Sequence, residues 1–243
     1  MKNVWGLVLV SVLSAVLGIR LGKQVSQAPR LTAENVRTEF FRIYHSKGIQ
    51  RNTQWLGVPI QQTPTDMWMV QQIVTELRPD FIIETGTLKG GSSLYYASVL
   101  SALNASAKII TVDIEDQLAG AKDYAVFGQK VIPIVANSVA PETVQQISRL
   151  VQGRPALVLL DSDHHKEHVL KEMRLYAQFV PVGGYMIVFD TDLNGHPVLK
   201  SFGPGPMEAV EEFLRRDDRF VSDPAREKFM LTMCANGYLK RVK

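Results

Sequence analysis

Short, largely apolar runs recur along this chain and are separated by longer stretches with helical spacing. The runs occupy residues 81–83, 109–112, 131–135, 156–160 and 185–189. Continuous apolar runs of this length are typical of strands that are buried on both faces of a parallel sheet. The alternation of strands and helices therefore predicts an α/β fold with a mostly parallel sheet and helices on both faces.

The flanking segments predict further elements of the same domain. Residues 63–80 have the pattern of an amphipathic helix, which Asp66 is expected to cap. The terminal segment, residues 229–241, predicts an antiparallel strand pair with Asn-Gly as its turn. We therefore expect one α/β domain over residues 66–243, preceded by a linker and helical region over residues 23–65.

An uncharged apolar run at residues 4–19 stands apart from this domain. Lys2 precedes the run, whereas Arg20 and Lys23 follow it. An uncleaved membrane anchor within residues 1–22 is the favoured interpretation, and a cleaved signal peptide is the alternative. The excess of basic residues after the run predicts a single-pass protein whose folded domain is cytoplasmic.

The turn after the first predicted strand has the sequence ETGTLKGGSS. Its glycines allow the backbone to pass close to a ligand, and an acidic residue precedes them. A carboxylate repels the diphosphate of a dinucleotide but suits a ligand with ammonium and hydroxyl groups, such as S-adenosylmethionine (SAM). A tight turn without a ligand is the alternative. The predicted SAM contacts in this turn are Glu84, Gly86, Gly90 and Ser92.

The next two strand ends carry polar side chains that suit the rest of this ligand. Asp113 ends the second strand, where a carboxylate accepts hydrogen bonds from ribose hydroxyl groups. Asn137 and Ser138 follow the third strand and are able to hydrogen-bond to an adenine edge. Asp113 and Ser138 are therefore predicted cofactor contacts, although an isolated strand-end Asp is commonly structural.

Candidate catalytic groups follow the last two apolar runs. Asp161 and His164 stand at the end of one run, and Asp190 and Asp192 at the end of the other. We predict that Asp161, Asp190 and Asp192 hold Mg²⁺, because carboxylates from neighbouring strand ends can share a hard divalent ion. Asp161 and His164 are the predicted catalytic residues, with His164 as the base. The alternatives for His164 are a surface or hydrogen-bonded histidine, or a zinc pair with His168.

The segment at residues 194–206 is rich in Gly and Pro. We expect it to fold as a loop over the cofactor crevice, with Asn194, His196 and Lys200 as substrate contacts. A rigid connection to the following helix is the alternative.

Composition narrows the classes of function. The 243 residues carry a formal net charge of +3 and show no nucleic-acid recognition motif, so no nucleic-acid partner is predicted. Cys234 is the single cysteine, which excludes an intramolecular disulfide. The sequence leaves both a monomer and a homo-oligomer open.

Four segments together resemble one known family. They are ETGTLKGGSSLYYAS, LLDSDHHKEHVLKEM, NGHPVLKSFGPGPMEAVEEF and REKFMLTMCANGYLKR. They resemble the cephalosporin hydroxylase-like and rhamnosyl O-methyltransferase family of SAM-dependent methyltransferases, and the resemblance covers nearly all of the chain after the N-terminal apolar run. It implies a Rossmann-like methyltransferase fold. It also implies an O-methyltransferase that acts on a saccharide hydroxyl, as some members methylate sugar hydroxyls on glycolipids. The predicted anchor suggests that this saccharide belongs to a glycolipid or polysaccharide precursor at the membrane.

The resemblance further implies roles for particular residues. SAM contacts are implied for the glycine-containing turn and Asp113, and magnesium ligation for Asp161 and Asp190. Members of the family tend to have Glu-Asp at the fifth strand end, whereas this chain has Phe189 before Asp190. One expected carboxylate ligand is therefore missing, which weakens Mg²⁺ binding even if Asp192 substitutes for it.

Two other classes of function stay open from the sequence. A nicotinamide-dependent oxidoreductase has the same fold, although the acidic residue ahead of the glycines disfavours it. A membrane-tethered protein that binds a ligand without turnover is consistent with Phe189.

Overall fold

The computed structural model describes residues 31–243, of which residues 37–243 form one compact unit. In chain order the helices and strands are α1 (Ala33–Ser46), β1 (Gln54–Trp55), β2 (Val58–Pro59), α2 (Pro64–Leu77), β3 (Phe81–Thr85), α3 (Gly91–Ala102), β4 (Lys108–Asp113), α4 (Ala119–Lys122), α5 (Ala125–Lys130), β5 (Val131–Val135), α6 (Pro141–Val151), β6 (Ala156–Leu160), α7 (Lys166–Tyr176), β7 (Tyr185–Val188), α8 (Pro206–Arg216), β8 (Phe220–Ser222) and β9 (Tyr238–Arg241). Short 3₁₀ helices lie at Ile49–Asn52, Ala177–Phe179 and Pro224–Glu227.

Within the described residues, seven strands form one sheet in the order β5-β4-β3-β6-β7-β9-β8. Strands β3 to β7 are parallel, and β9 pairs antiparallel with both β7 and β8. The chain runs outward from β3 to β5 and returns to β6 on the other side of β3, so the strand order reverses there. Open α/β sheets bind ligands at the carboxyl ends of such a reversal. The predicted α/β fold with a C-terminal antiparallel pair is confirmed.

The partner of the last strand differs from the predicted one. The sequence pattern pairs residues 229–235 with β9, but β9 pairs with β8 instead. The Thr232 hydroxyl and the Met233 backbone N–H both donate to the Asp66 carboxylate, so this segment is bound to α2 and not to the sheet edge. The predicted turn is correct in place, but the strand before it is wrong.

Helix α2 also begins differently from the prediction. Its N-cap is Thr63, whose hydroxyl oxygen accepts a hydrogen bond from the Asp66 backbone N–H at 3.2 Å. The buried carboxylate of Asp66 has other partners. They are the hydroxyl groups of Thr63, Thr232 and Tyr238 and the backbone N–H of Met233. Asp66 therefore joins α2 to the C-terminal segment, and its predicted role as the cap is wrong.

Alternate strand residues supply two hydrophobic layers, one on each face of the sheet. Ile82 of β3 packs with residues of α2 and α3, whereas its neighbours Phe81 and Ile83 pack with residues of α6, α7 and α8. Phe189, directly after β7, lies in the first layer with 2% of its surface exposed. The position of the missing acidic ligand is thus a core position in this chain.

The prediction of a single-pass membrane protein with a cytoplasmic domain is corrected. Between residues 31 and 243, every helix is too short or too polar to cross a bilayer. The predicted anchor at residues 4–19 lies outside the described residues.

Candidate active site

A cleft of about 640 Å³ opens at the carboxyl ends of the parallel strands. Its floor comes from residues that follow β3 to β7. One of its walls, the N-terminal wall, comes from residues 45–62, which precede α2. The predicted residues that line it are Gly86, Ser92, Asp113, Asn137, Ser138, Asp161, His164 and Asp190. The predicted strand ends are therefore assembled around one cleft.

Gly86 lets the ends of β3 and β6 approach each other closely. Its φ of +84° lies in the left-handed region, and a Cβ atom here would stand 1.9 Å from the carbonyl oxygen of Asp161. Gly90 has a φ of +81°, and its Cβ would stand 2.7 Å from a methyl carbon of Leu118. Gly86 thus places the turn beside the end of β6, whereas Gly90 allows the turn to pack against its neighbours.

The carboxylate of Glu84 is buried among protein hydroxyl groups. It accepts hydrogen bonds from the Ser93 hydroxyl and, at 2.7 Å, from the Thr111 hydroxyl. Burial raises the pKa of Glu84, and these hydrogen bonds oppose the rise. Glu84 therefore ties β3 to α3 and β4, and its direct contact with SAM stays a prediction.

Asp113 holds the glycine-containing turn against the end of β4. Its Oδ2 atom accepts hydrogen bonds from the backbone N–H groups of Thr87 and Leu88 at 2.9 and 2.8 Å. The N–H of Glu115 donates to Oδ1 at 3.1 Å. The carboxylate is therefore fixed at the wall of the cleft, which suits the predicted contact with ribose hydroxyl groups.

Asp161, His164 and Asp190 meet at the ends of β6 and β7. Each offers one ligand atom, these atoms lie within 4.8 Å of one another, and His164 Nε2 is 2.8 Å from Asp190 Oδ2. Burial would lower the pKa of His164, but the charge of Asp190 and the hydrogen bond to it raise that pKa to about 9. Burial and the charge of Asp190 raise the pKa of Asp161 well above its ordinary value. The three side chains therefore form one compact cluster at the ends of the two strands.

Asp192 is held apart from this cluster. Its carboxylate is buried, with Oδ2 3.1 Å from Nε2 of His45 on α1. Burial raises the pKa of Asp192 to about 6, and the hydrogen bond to His45 opposes the rise. The backbone turns sharply at Asp190, whose φ is +54°, so the two carboxylates have different partners. In the described part of the chain, His164 takes the third place that was predicted for Asp192.

A buried carboxylate on α7, Glu172, organises another part of the cleft. Its Oε1 atom accepts hydrogen bonds from the Ser138 and Ser162 hydroxyls at 2.5 and 2.7 Å, and it lies 3.3 Å from His168 Nε2. The hydrogen bond to Glu172 raises the pKa of His168. Among residues 31–243, the alternative zinc pair is therefore not assembled, because His168 is bound to Glu172 and His164 to Asp190.

The predicted substrate loop is fastened to α8 by Glu208. Its Oε1 atom accepts a hydrogen bond from Asn194 Nδ2 at 2.9 Å and lies 3.0 Å from His196 Nε2, and Oε2 accepts from the Gly205 N–H at 2.7 Å. These bonds favour the alternative of a rigid connection to α8. The loop residues that line the cleft are Leu199 and Phe202, together with Leu193 directly before the loop.

The contacts of Glu208 predict an acid-dependent stability. Burial would raise the pKa of Glu208, but the hydrogen bonds it accepts lower that pKa from 4.5 to about 2. A depressed carboxyl pKa stabilises the fold fully above pH 4.5, and this contribution is lost as the pH falls towards 2. We expect Glu208→Gln to lower the free energy of unfolding by about 1 kcal/mol at pH 7, and the difference from the wild type to shrink below pH 4.5.

Urea unfolding at several pH values measures this difference. Glu211→Gln, an exposed change on the same helix, is the matched control and is expected to have little effect at any pH. A Glu208→Gln difference that stays constant from pH 7 to pH 3 would contradict the assignment.

Three residues around the cleft have weak or no signals in the sequence. His45 and Gln62 precede the sheet and belong to no recognised motif, so their place in the cleft depends on tertiary structure. Glu172 gives a weak signal, because it stands four residues after His168 on one helix face.

Comparison with known proteins decides the family. The protein family described as "Rhamnosyl O-methyltransferase/CmcI" matches residues 47–242 of this chain. This chain belongs to that family. A rhamnosyl O-methyltransferase of Mycobacterium leprae is 36% identical over 212 residues, which cover 86% of this chain and 91% of the relative. A rhamnosyl O-methyltransferase of Mycobacterium tuberculosis (strain H37Rv) is 34% identical over 216 residues, with 86% of each chain covered.

Solved structures of the family agree with the fold. CmcI with Mg and SAM superposes with a TM-score of 0.60 at 17% identity, over 79% of this chain and 78% of that chain. Membership confirms the predicted family and the predicted enzyme class, a SAM-dependent O-methyltransferase. The matches therefore favour SAM over a nicotinamide cofactor.

Proposed function

We propose that this protein transfers the methyl group of SAM to a hydroxyl group of a saccharide, with a rhamnosyl residue as the first candidate. The observation that carries the proposal is the cluster of Asp161, His164 and Asp190 in the cleft that the glycine-containing turn and Asp113 also line. The names of the relatives in the family support the choice of sugar.

A glycolipid or polysaccharide is the proposed carrier of the sugar. Three apolar side chains of the cleft lining are partly or largely exposed: Leu88 (37%), Ile114 (71%) and Leu199 (54%). Apolar side chains beside a polar cleft suit an acceptor in which the sugar is joined to an apolar group.

The residues of the cleft fit SAM. Gly86 leaves the backbone open beside the strand end, and Asp113 presents a fixed carboxylate at the cleft wall for ribose hydroxyl groups. When bound, SAM supplies an electrophilic methyl group. Positioning of the acceptor oxygen against that methyl group is the main contribution expected of the protein.

The residues also fit a divalent cation. Asp161 and Asp190 supply two carboxylates, and His164 lies close to both. One oxygen of each carboxylate and one ring nitrogen of His164 all lie within 4.8 Å of one another. Hard oxygen ligands suit Mg²⁺, and the ion lowers the pKa of a coordinated hydroxyl. Phe189 is buried in the core, so Asp161 and Asp190 would hold the ion with one carboxylate fewer than the family pattern.

His164 is placed to receive the acceptor proton. Burial opposes the rise, but the negative charges of Asp190, Asp161 and Asp163 raise its pKa to about 9, which favours the charged imidazole at neutral pH. A cation held by Asp161 and Asp190 would offset their negative charge, and it would thereby favour the neutral form of His164 as the base. In the transfer, the acceptor oxygen bonds to the methyl carbon as the sulfur–carbon bond breaks, and the hydroxyl proton passes to His164. The products are the methyl ether and S-adenosylhomocysteine.

Titration of SAM into the full-length protein by calorimetry, with Mg²⁺ and then with a chelator, tests the proposal. We expect saturable SAM binding in both conditions, because Asp113 and the turn do not depend on the metal. We also expect weak Mg²⁺ binding that Asp190→Asn abolishes. If SAM binds neither with Mg²⁺ nor with the chelator, the proposed function is wrong. Binding without turnover on any rhamnoside would favour a non-catalytic binding protein.

A further inference from the structure

The N-terminal wall of the cleft, residues 45–62, contains a buried amide beside the carboxylate of Asp161. Gln62 lies between β2 and α2 with 3% of its surface exposed, and its Nε2 donates to Asp161 Oδ2 at 2.5 Å. An amide nitrogen is the only group of Gln that donates to a carboxylate, so the orientation of the amide is fixed. Its Oε1 atom is buried and has no hydrogen-bond partner among residues 31–243.

A second amide in the same wall has the same feature. Gln50 lies on the 3₁₀ helix Ile49–Asn52 and lines the cleft. Within the part of the chain that the structure describes, its buried Oε1 atom also lacks a partner. Buried polar atoms are nearly always hydrogen-bonded, and these two carbonyl oxygens belong to side chains that line the cleft, where a ligand can supply the donors.

The backbone holds Gln62 firmly in this place. A Cβ atom on Gly91 would stand 2.1 Å from the carbonyl oxygen of Pro59, so the third glycine of the turn lets residues 59–60 lie against the start of α3. On the other side of Gln62, Thr63 is the N-cap of α2. The segment is therefore a fixed part of the wall, and Gln62 is preorganised.

The chemistry of these atoms limits the ligand that they recognise. Both are acceptors, so they need a ligand with hydrogen-bond donors, and hydroxyl groups meet this need. A phosphate or carboxylate offers only acceptors, and it would also stand near the carboxylates of Asp161 and Asp190. A neutral, hydroxyl-rich ligand is therefore favoured.

We propose that Gln50 and Gln62 form the subsite that selects the acceptor sugar, an inference that rests on the proposed function. Gln62 is bonded to Asp161, so its Oε1 accepts a hydrogen bond from the hydroxyl next to the one that is methylated. Gln50 accepts from a hydroxyl farther along the sugar. Because a site that hydrogen-bonds a substrate hydroxyl rejects the analogue without it, this pair sets the specificity for a vicinal diol.

Sugar binding to the complex with S-adenosylhomocysteine tests the inference. The probes are methyl α-L-rhamnopyranoside and its monodeoxy analogues, and NMR titration of the full-length protein gives each Kd. We expect Gln50→Leu and Gln62→Leu each to weaken binding of the parent sugar about tenfold. Gln72→Leu is the matched control, because Gln72 on α2 also has a buried, unpaired Oε1 but lies away from the cleft; sugar binding is expected to be unchanged.

The deoxy analogues separate a direct contact from a structural effect. In the wild type, we expect one analogue to bind about tenfold more weakly than the parent sugar, and in Gln62→Leu the two are expected to bind equally. A loss of the Asp161 contact alone would weaken the parent sugar and all analogues by the same factor, which would overturn the inference.

Two further results would overturn it. One is an unchanged sugar Kd in both variants, and the other is weaker binding of S-adenosylhomocysteine in place of the sugar, because the unpaired oxygens would then face the cofactor. Absence of any saturable sugar binding to the wild type also counts against it. Failure of SAM to bind the wild type is a separate result, which rejects the proposed function itself.

Discussion

Asp161→Asn is expected to lower the rate of methyl transfer about 10³-fold and to leave the Kd for SAM nearly unchanged. The substitution keeps the shape of the side chain but removes a negative charge from the cluster with His164 and Asp190. A bound cation would then be held by one carboxylate in place of two, and it would lower the pKa of the acceptor hydroxyl less effectively. The contacts of Asp113 with the turn are separate from this change.

Transfer of a labelled methyl group from SAM, together with a calorimetric Kd for SAM, measures both parts of this expectation. Asp218→Asn is a suitable control, because 83% of that side chain is exposed and it is paired only with Lys243 in the described structure. Transfer at the wild-type rate by Asp161→Asn would show that the catalytic site has been assigned to the wrong residues.

Asp66→Ala is expected to have the largest effect on stability, a loss of about 3 to 5 kcal/mol in the free energy of unfolding. The buried carboxylate accepts hydrogen bonds from groups on both α2 and the C-terminal segment, so its removal leaves several buried donors unpaired. They are the hydroxyls of Thr63, Thr232 and Tyr238 and the backbone N–H of Met233. Met233 also lines the cleft, so we expect ligand binding to weaken with the fold.

Urea unfolding followed by circular dichroism measures this loss. Asp66→Asn retains a carbonyl acceptor and is expected to lose less stability than Asp66→Ala. Asp218→Ala, at an exposed position, is expected to stay within about 0.5 kcal/mol of the wild type. If Asp66→Ala were as stable as the surface control, the C-terminal segment would not depend on this carboxylate.

The centre of the sheet could be predicted from the sequence because β3, β4, β6 and β7 are largely buried on both faces. Such strands need continuous apolar runs, and these runs are visible without any tertiary information. The edge strand β5 is only partly buried, but it also has an apolar run. The pairing of β9 was not visible in this way. Residues 229–235 have the composition of a strand, but the hydrogen bonds of Thr232 and Met233 to a distant carboxylate hold them away from the sheet.

The residues of the candidate site also differ in whether the sequence alone could predict their place. Asp161 and Asp190 could be predicted because neighbouring parallel strands bring their carboxyl ends together. Asp192 follows the same strand, but the left-handed backbone at Asp190 changes the direction of the chain. Its carboxylate therefore lies beside His45 and apart from the cluster. Gln62 comes from a segment ahead of the sheet, and its place beside Asp161 depends on packing that no local pattern records.

The most direct test of the account is transfer of a labelled methyl group from SAM to a rhamnoside by the full-length protein in the presence of Mg²⁺, with the product examined by NMR. The account predicts one mono-O-methyl sugar, in which the labelled methyl group is on an oxygen next to a free hydroxyl group. It also predicts S-adenosylhomocysteine in an equal amount. Saturable binding of both SAM and the rhamnoside without any labelled sugar would contradict it.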